Sequence, residues 1–128
     1  MLLILYDSRT GNVQRFINKL DKEKYNLKVK KLSPDLTVDE KYVLVTYTTG
    51  FGKVPESTLK FLEYNHKHLV GVSSSGNRNW GTSFAKSALT ISELYNVPVI
   101  TQFELSGTSK DTELFYQRLL EESAWGND

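Results

Sequence analysis

Six consecutive residues near the start of the chain, Ser8-Arg9-Thr10-Gly11-Asn12-Val13, bring together two hydroxyls, a guanidinium, an amide and a glycine. That is donor chemistry suited to an anion. The stretch follows an apolar run, Leu2 to Tyr6, and leads into a pattern in which Val13, Phe16, Ile17 and Leu20 recur at i, i+3, i+4 and i+7. A strand, a short turn and a helix in that order make an anion cradle. The first N–H groups of a helix lack intrahelical partners, and the helix dipole favours negative charge beside them. Gly11 lets a ligand approach the backbone closely. The chemistry indicated is phosphate binding. The plainer alternative is an ordinary βα turn with Thr10 as helix N-cap. No Gly-Lys-Ser/Thr ends the loop, so it is not a Walker A motif, and a dinucleotide fingerprint spacing is absent too. Asp7 alone is not the acidic cluster of a phospho-acceptor domain.

Two further loops carry unusual residues. Thr48-Thr49-Gly50-Phe51-Gly52-Lys53-Val54 sets two glycines around one aromatic. A peptide at Gly50 can take either of two orientations at low cost. A flat redox ring whose nitrogen gains a proton on reduction would exploit that, since a flipped carbonyl accepts the new hydrogen. The alternative is a tight turn leading to Pro55. In Ser75-Gly76-Asn77-Arg78-Asn79-Trp80-Gly81, a tryptophan stands in a glycine-bounded polar loop. It is suited to stack on a planar ligand whose polar edge Asn77 and Asn79 satisfy. The alternative is a tryptophan packed on its own loop, or a partner anchor. Arg78 reads as a solvated charge or as a phosphate or partner contact. A phosphate cradle, a flexible glycine loop and an aromatic platform together fit flavin mononucleotide (FMN) better than ATP or NAD.

Alternating elements position these loops. Strands are expected at 2–6, 27–32, 42–47, 69–74 and 97–105, and helices at 12–20, 55–65, 83–95 and 111–123. The third helix carries Phe84, Ala88, Ile91 and Tyr95 on one stripe. Runs 42–47 and 69–72 are nearly continuous in apolar residues, as in central strands covered on both faces. Run 27–32 alternates with Lys28 and Lys30, as an edge strand would. Residues 33–41 read as a polar connection with little or no helix, and 126–128 as a loose tail. The pattern predicts an α/β fold, a flavodoxin-like doubly wound five-stranded parallel sheet of order 2-1-3-4-5 with helices on both faces. Its ligands lie beyond the carboxyl ends of the strands, at the switch point between strands 1 and 3. All three loops fall there.

At 128 residues the chain suits a single domain, 1–128. Sixteen basic and fifteen acidic side chains give a net charge of +1, without the basic excess of a nucleic-acid footprint. No apolar run is long enough for a membrane span, and the start reads as a strand rather than a signal peptide. A cytoplasmic protein is expected. The chain has no cysteine, which excludes disulfides, thiolate nucleophiles and cysteine-ligated clusters. His66 and His68 read as polar residues at a helix end rather than a metal pair. Demanding chemistry would therefore need a bound cofactor.

Residues 8–13, 10–16, 45–55, 75–81, 84–86 and 103–108 together resemble one branch of the flavodoxin-like proteins, the NrdI family that serves class Ib ribonucleotide reductase. The resemblance covers nearly the whole chain. Compared with electron-transfer flavodoxins the chain is short and not strongly acidic, and Val13 replaces the third hydroxyl residue of their phosphate loop. The resemblance implies FMN as cofactor and no metal on the protein. It implies a redox accessory flavoprotein rather than a substrate-turnover enzyme. Reduced FMN would react with dioxygen to supply an oxidant, superoxide, for assembly of the dimanganese–tyrosyl radical cofactor in the reductase small subunit. A flavin-reducing partner is implied as well, and a monomer when free. Carried over by position, Ser8, Arg9, Thr10, Gly11, Asn12 and Val13 would hold the phosphate. Thr48, Thr49, Gly50, Phe51 and Gly52 would border the ring, with Gly50 tuning its N5 edge. Asn77, Asn79 and Trp80 would contact the ring, with Gly76 and Gly81 shaping the loop. Lys53 and Arg78 would face the partner, and Phe84 would belong to the core. The alternatives are a general electron-transfer flavodoxin for another reductase, and a flavin-free binding or signalling domain.

Overall fold

Strands β1 (Leu2–Tyr6), β2 (Leu27–Lys31), β3 (Tyr42–Tyr47), β4 (Leu69–Gly76) and β5 (Val99–Glu104) form one sheet in the order β2-β1-β3-β4-β5, every neighbouring pair parallel. This computed structural model describes residues 1–121. Helices α1 (Asn12–Asn18), α2 (Glu56–Asn65), α3 (Ser87–Tyr95) and α4 (Ser109–Glu121) cover both faces. The side chains of a strand alternate between faces, so β1 sends Ile4 and Tyr6 one way and Leu3 and Leu5 the other. Ile4 and Tyr6 meet Phe16 and Ile17 of α1 and Phe115 and Leu119 of α4. Phe16 lies flat on Phe103, centroids 4.0 Å apart, and edge-on to Phe115 at 5.4 Å. Leu3 and Leu5 meet Phe61 and Leu62 of α2 and Ala88 and Ile91 of α3. The lysine-bearing β2 is an edge strand, as its alternation predicts, and the connection to β3 contains no helix. Asn65 holds that connection, accepting from Val38 N and donating to Leu36 O. No helix among the described residues is long and apolar enough to cross a membrane.

α1 ends at Asn18 and β5 spans Val99–Glu104, shorter than the expected 12–20 and 97–105. Three other boundaries differ from expectation for physical reasons. β4 continues through Ser75 and Gly76, pairing with Phe103 and Glu104, because its buried serines find partners inside the protein. α3 begins at Ser87 rather than at 83. Ala85 is fully buried in the left-handed region (φ 47°), and its carbonyl accepts from Ser74 Oγ and Gln102 Nε2. Phe84 thus stands outside the helix, half-buried, beneath the Arg78 guanidinium at 4.5 Å. α4 begins two residues early because Thr108 and Asp111 form a capping box, each side chain accepting from the other's backbone N–H. Residues 122–123 of the expected helix, and the expected tail, lie outside the described residues.

Tyr42 is a test of this core. It is fully buried, and its hydroxyl donates to Asn65 O at 2.7 Å. Tyr42→Phe should cost about 1–3 kcal/mol in urea unfolding, because a buried carbonyl loses its donor. Burial, with a smaller contribution from Tyr95, raises the Tyr42 pKa well above its ordinary value. A raised folded-state pKa gives stability that is complete below about pH 10, where unfolded tyrosine ionises, and lost as pH rises towards the folded value. The alkaline decline should therefore be shallower in Tyr42→Phe than in the parent protein.

Candidate functional site

The sheet order reverses between β1 and β3, and the loops beyond their carboxyl ends surround a cavity of about 400 Å³. Its size is that of a small-ligand pocket. Ser8, Arg9, Thr10, Asn12 and Val13 line one end. Thr48, Thr49 and Gly50 contribute from beyond β3, and Gly76, Asn77 and Trp80 from the end of β4. Ser75 of the third loop also lines it, as do Tyr47 and Leu105, which the sequence placed within strands. Leu105 instead follows β5 in a left-handed conformation (φ 52°) that the alternating pattern of a strand does not announce. Gly11, Phe51, Gly52, Asn79 and Gly81 stand outside the lining. Among the described residues no aspartate or glutamate lines the cavity, and Arg9 is the one charged lining residue. A larger cavity of about 730 Å³ lies between residues 32–37 and α2, but Asp7, Asp35, Glu56 and Glu63 make it unsuited to an anion.

The two hydroxyls of the first loop are placed differently. Gly11, not Thr10, occupies the N-cap position of α1, with φ 95° and no side-chain cap. Ser8 Oγ accepts from Gln14 N at 3.2 Å, the bond an N-cap residue would make. Thr10 stays exposed at the mouth. Asp7 is turned away: Oδ2 accepts from Ser57 Oγ at 2.6 Å and Thr58 Oγ1 at 2.7 Å, in the first turn of α2. There the helix dipole favours its charge.

The second loop is a small hairpin. Thr49 and Lys53 exchange backbone hydrogen bonds at 2.9 and 2.8 Å around Gly50-Phe51-Gly52. Both glycines have positive φ (51° and 90°), which a tight three-residue turn requires. A Cβ on Gly50 would meet nothing within 4 Å. Phe51 projects from the tip, 90% exposed. Buried Thr48 ties the base of the hairpin to α3 by donating to Ser87 Oγ, which itself donates to Tyr47 O.

The third loop is a 3-10 segment, Arg78–Ser83, interrupted at Gly81 (φ 56°). Asn77 Oδ1 caps it by accepting from Asn79 N at 2.9 Å. Arg78 is not a free partner-facing charge. Its backbone N–H donates to Glu104 Oε2 at 3.1 Å, and its guanidinium lies 3.8 Å from Glu104 Oε1 and over Phe84. The loop bearing Trp80 is thereby latched to β5. Lys53 remains exposed on the hairpin. Outside the site, His66 stacks on Tyr95 at 5.0 Å and its Nδ1 meets Leu62 O.

The cavity is therefore lined by hydroxyl and amide groups (Ser8, Thr10, Asn12, Thr48, Thr49, Asn77) together with aromatic and aliphatic side chains (Tyr47, Trp80, Leu105), and by no acidic residue among the described residues. These residues fit a planar ring carrying a phosphate. A family model described as NrdI flavodoxin-like matches residues 4–117. Protein NrdI of Bacillus licheniformis is 55% identical over 119 residues, covering 93% of this chain and 88% of that one. A short-chain flavodoxin associated with a PDU bacterial microcompartment superposes with TM-score 0.73 at 21% identity, covering 96% of this chain and 99% of that one. The flavodoxin of Streptococcus pneumoniae TIGR4 gives 0.74 at 20% identity, covering 96% and 97%. The last two likenesses concern the fold.

Proposed function

The chain belongs to the NrdI flavodoxin-like family, and from that membership we propose that it binds FMN in the cavity and activates class Ib ribonucleotide reductase in the cytoplasm. The observation that carries the proposal is the cavity itself: three loops at the switch point line it with hydroxyl, amide and aromatic groups and, among the described residues, with no carboxylate. When bound and reduced, FMN supplies electrons to dioxygen, giving superoxide as oxidant for the dimanganese–tyrosyl radical cofactor of the small subunit.

The protein's own residues bind, orient and expose. Ser8, Thr10, Asn12 and the backbone at Gly11 and Val13 hold the phosphate, with Arg9 adding positive charge. Thr48, Thr49 and Gly50 border the ring and Asn77 and Trp80 contact it, while Phe51, Gly52, Asn79 and Gly81 shape the loops that carry them. Exposed Phe51 and Lys53 sit on the rim where a partner would approach. The chain works as a monomer, reduced by a separate flavin-reducing partner. Gly50 has open space and a conformation that glycine tolerates, so its peptide can turn to accept a hydrogen at the N5 edge. Gly50→Val should leave FMN bound but shift its reduction potential by about 40–80 mV, the equivalent of about 1–2 kcal/mol for one electron. Unchanged potentials would contradict that role.

The proposal is tested by mixing the reduced protein with the manganese-loaded small subunit and admitting dioxygen. A tyrosyl radical signal that needs both the protein and dioxygen is expected. Retained flavin without radical formation would point instead to electron transfer to another reductase.

A further inference from the structure

Arg15 folds back from α1 onto the first loop. Its Nη1 lies 2.8 Å from where a Cβ on Gly11 would stand. Its Nε donates to Ser106 Oγ at 2.9 Å and its Nη2 to Asn12 Oδ1 at 2.7 Å. Ser106 Oγ closes the triangle by donating to Asn12 Oδ1 at 2.9 Å. The turn bearing Ser106 is itself pinned. Lys19 Nζ donates to Ser106 O at 3.1 Å and Gly107 O at 2.5 Å, while Ser75 Oγ donates to Leu105 O at 2.5 Å.

Two consequences follow. A guanidinium only donates, so the Asn12 group facing it must be the amide oxygen. With Oδ1 engaged twice, the NH2 end of Asn12 is left for the cavity that Asn12 lines. Arg15 belongs to neither of the ion pairs Lys28–Glu40 and Arg78–Glu104, and its guanidinium lies beside Gly11. Its partners in the triangle are neutral.

We propose that Arg15 and Ser106 make the cavity selective for a ring bearing a phosphate monoester over the same ring without one. Arg15 acts as a positioning residue, turning the donor end of Asn12 to the ligand, and as an unneutralised charge behind the loop. A phosphate monoester approaches two negative charges at neutral pH, whereas the unphosphorylated ring system offers none to this end of the cavity. The inference rests on the flavin reading above and deepens it.

The test compares FMN with riboflavin by fluorescence titration of the full chain, its Arg15→Gln, Arg15→Lys and Ser106→Ala variants. Arg15→Gln should weaken FMN at least about tenfold, as expected for losing bonds from a charged donor. Its riboflavin affinity should stay within about twofold, and its FMN binding should become less salt-dependent. Arg15→Lys should recover part of the loss, since it restores charge but not the fork. Ser106→Ala should show the same selectivity at smaller size. Equal weakening of both ligands, or unchanged FMN affinity in Arg15→Gln, would overturn the inference alone. A parent protein that binds neither FMN nor riboflavin would overturn the flavin reading, and this inference with it.

Discussion

Gly76→Val should unfold the cavity wall, costing about 3 kcal/mol and abolishing FMN retention. Gly76 ends β4, pairs with Glu104 and accepts from Leu105 N at 2.9 Å. A Cβ there would stand 2.7 Å from Ala85 Cα and 3.1 Å from Ala85 Cβ, and would collide with Ala85 N. Ala85 cannot move aside easily. It is fully buried, left-handed and held through its carbonyl by Ser74 and Gln102. The added Cβ meets backbone atoms of Ala85, which no rotamer change moves. The displaced segment is the one that carries Trp80. Urea unfolding and flavin absorbance read the two effects separately. A midpoint and flavin content equal to those of the parent protein would contradict this packing account.

Gly11→Asp should lower FMN affinity about a hundredfold or more. At φ 95° an L side chain is strained whatever the space around it. The added carboxylate would meet Arg15 Nη1, neutralising the cation and pulling it from Asn12 and Ser106. With the cation neutralised, the loop would lose the positive charge that attracts a phosphate. Riboflavin should suffer less than FMN. Near-parental FMN affinity in Gly11→Asp would mean that the phosphate lies elsewhere.

The fold was legible because its signals are local and repeated. The apolar run of β1, the helical stripe from Val13 to Leu20 and the lysine alternation of β2 each specify an element, and alternation of β with α specifies parallel pairing. Convergence of the three loops then followed from where strand order reverses. What stayed hidden depends on tertiary partners. Ser75 looks like the start of a loop, yet it extends the buried strand, because Ser75 Oγ donates to Leu105 O just as Ser73 and Ser74 find Thr101 and Ala85. The late start of α3 rests on the same Ser74–Ala85 bond, which no helical periodicity encodes. Arg78 is solvated as the sequence suggests, but its pairing with Glu104 of β5 was not legible. Leu105 enters the cavity only because the chain turns left-handed after β5. The spacing of Asn12 and Arg15 was visible as an i, i+3 pair, but Ser106, which completes their triangle, comes from the far end of the chain.

The central claim is that this cavity holds FMN. It is tested most directly by the visible absorption of the purified protein, recorded before and after addition of FMN and desalting. A flavin spectrum that survives desalting at about one FMN per chain is the expected result. A protein that stays colourless after reconstitution would contradict the claim.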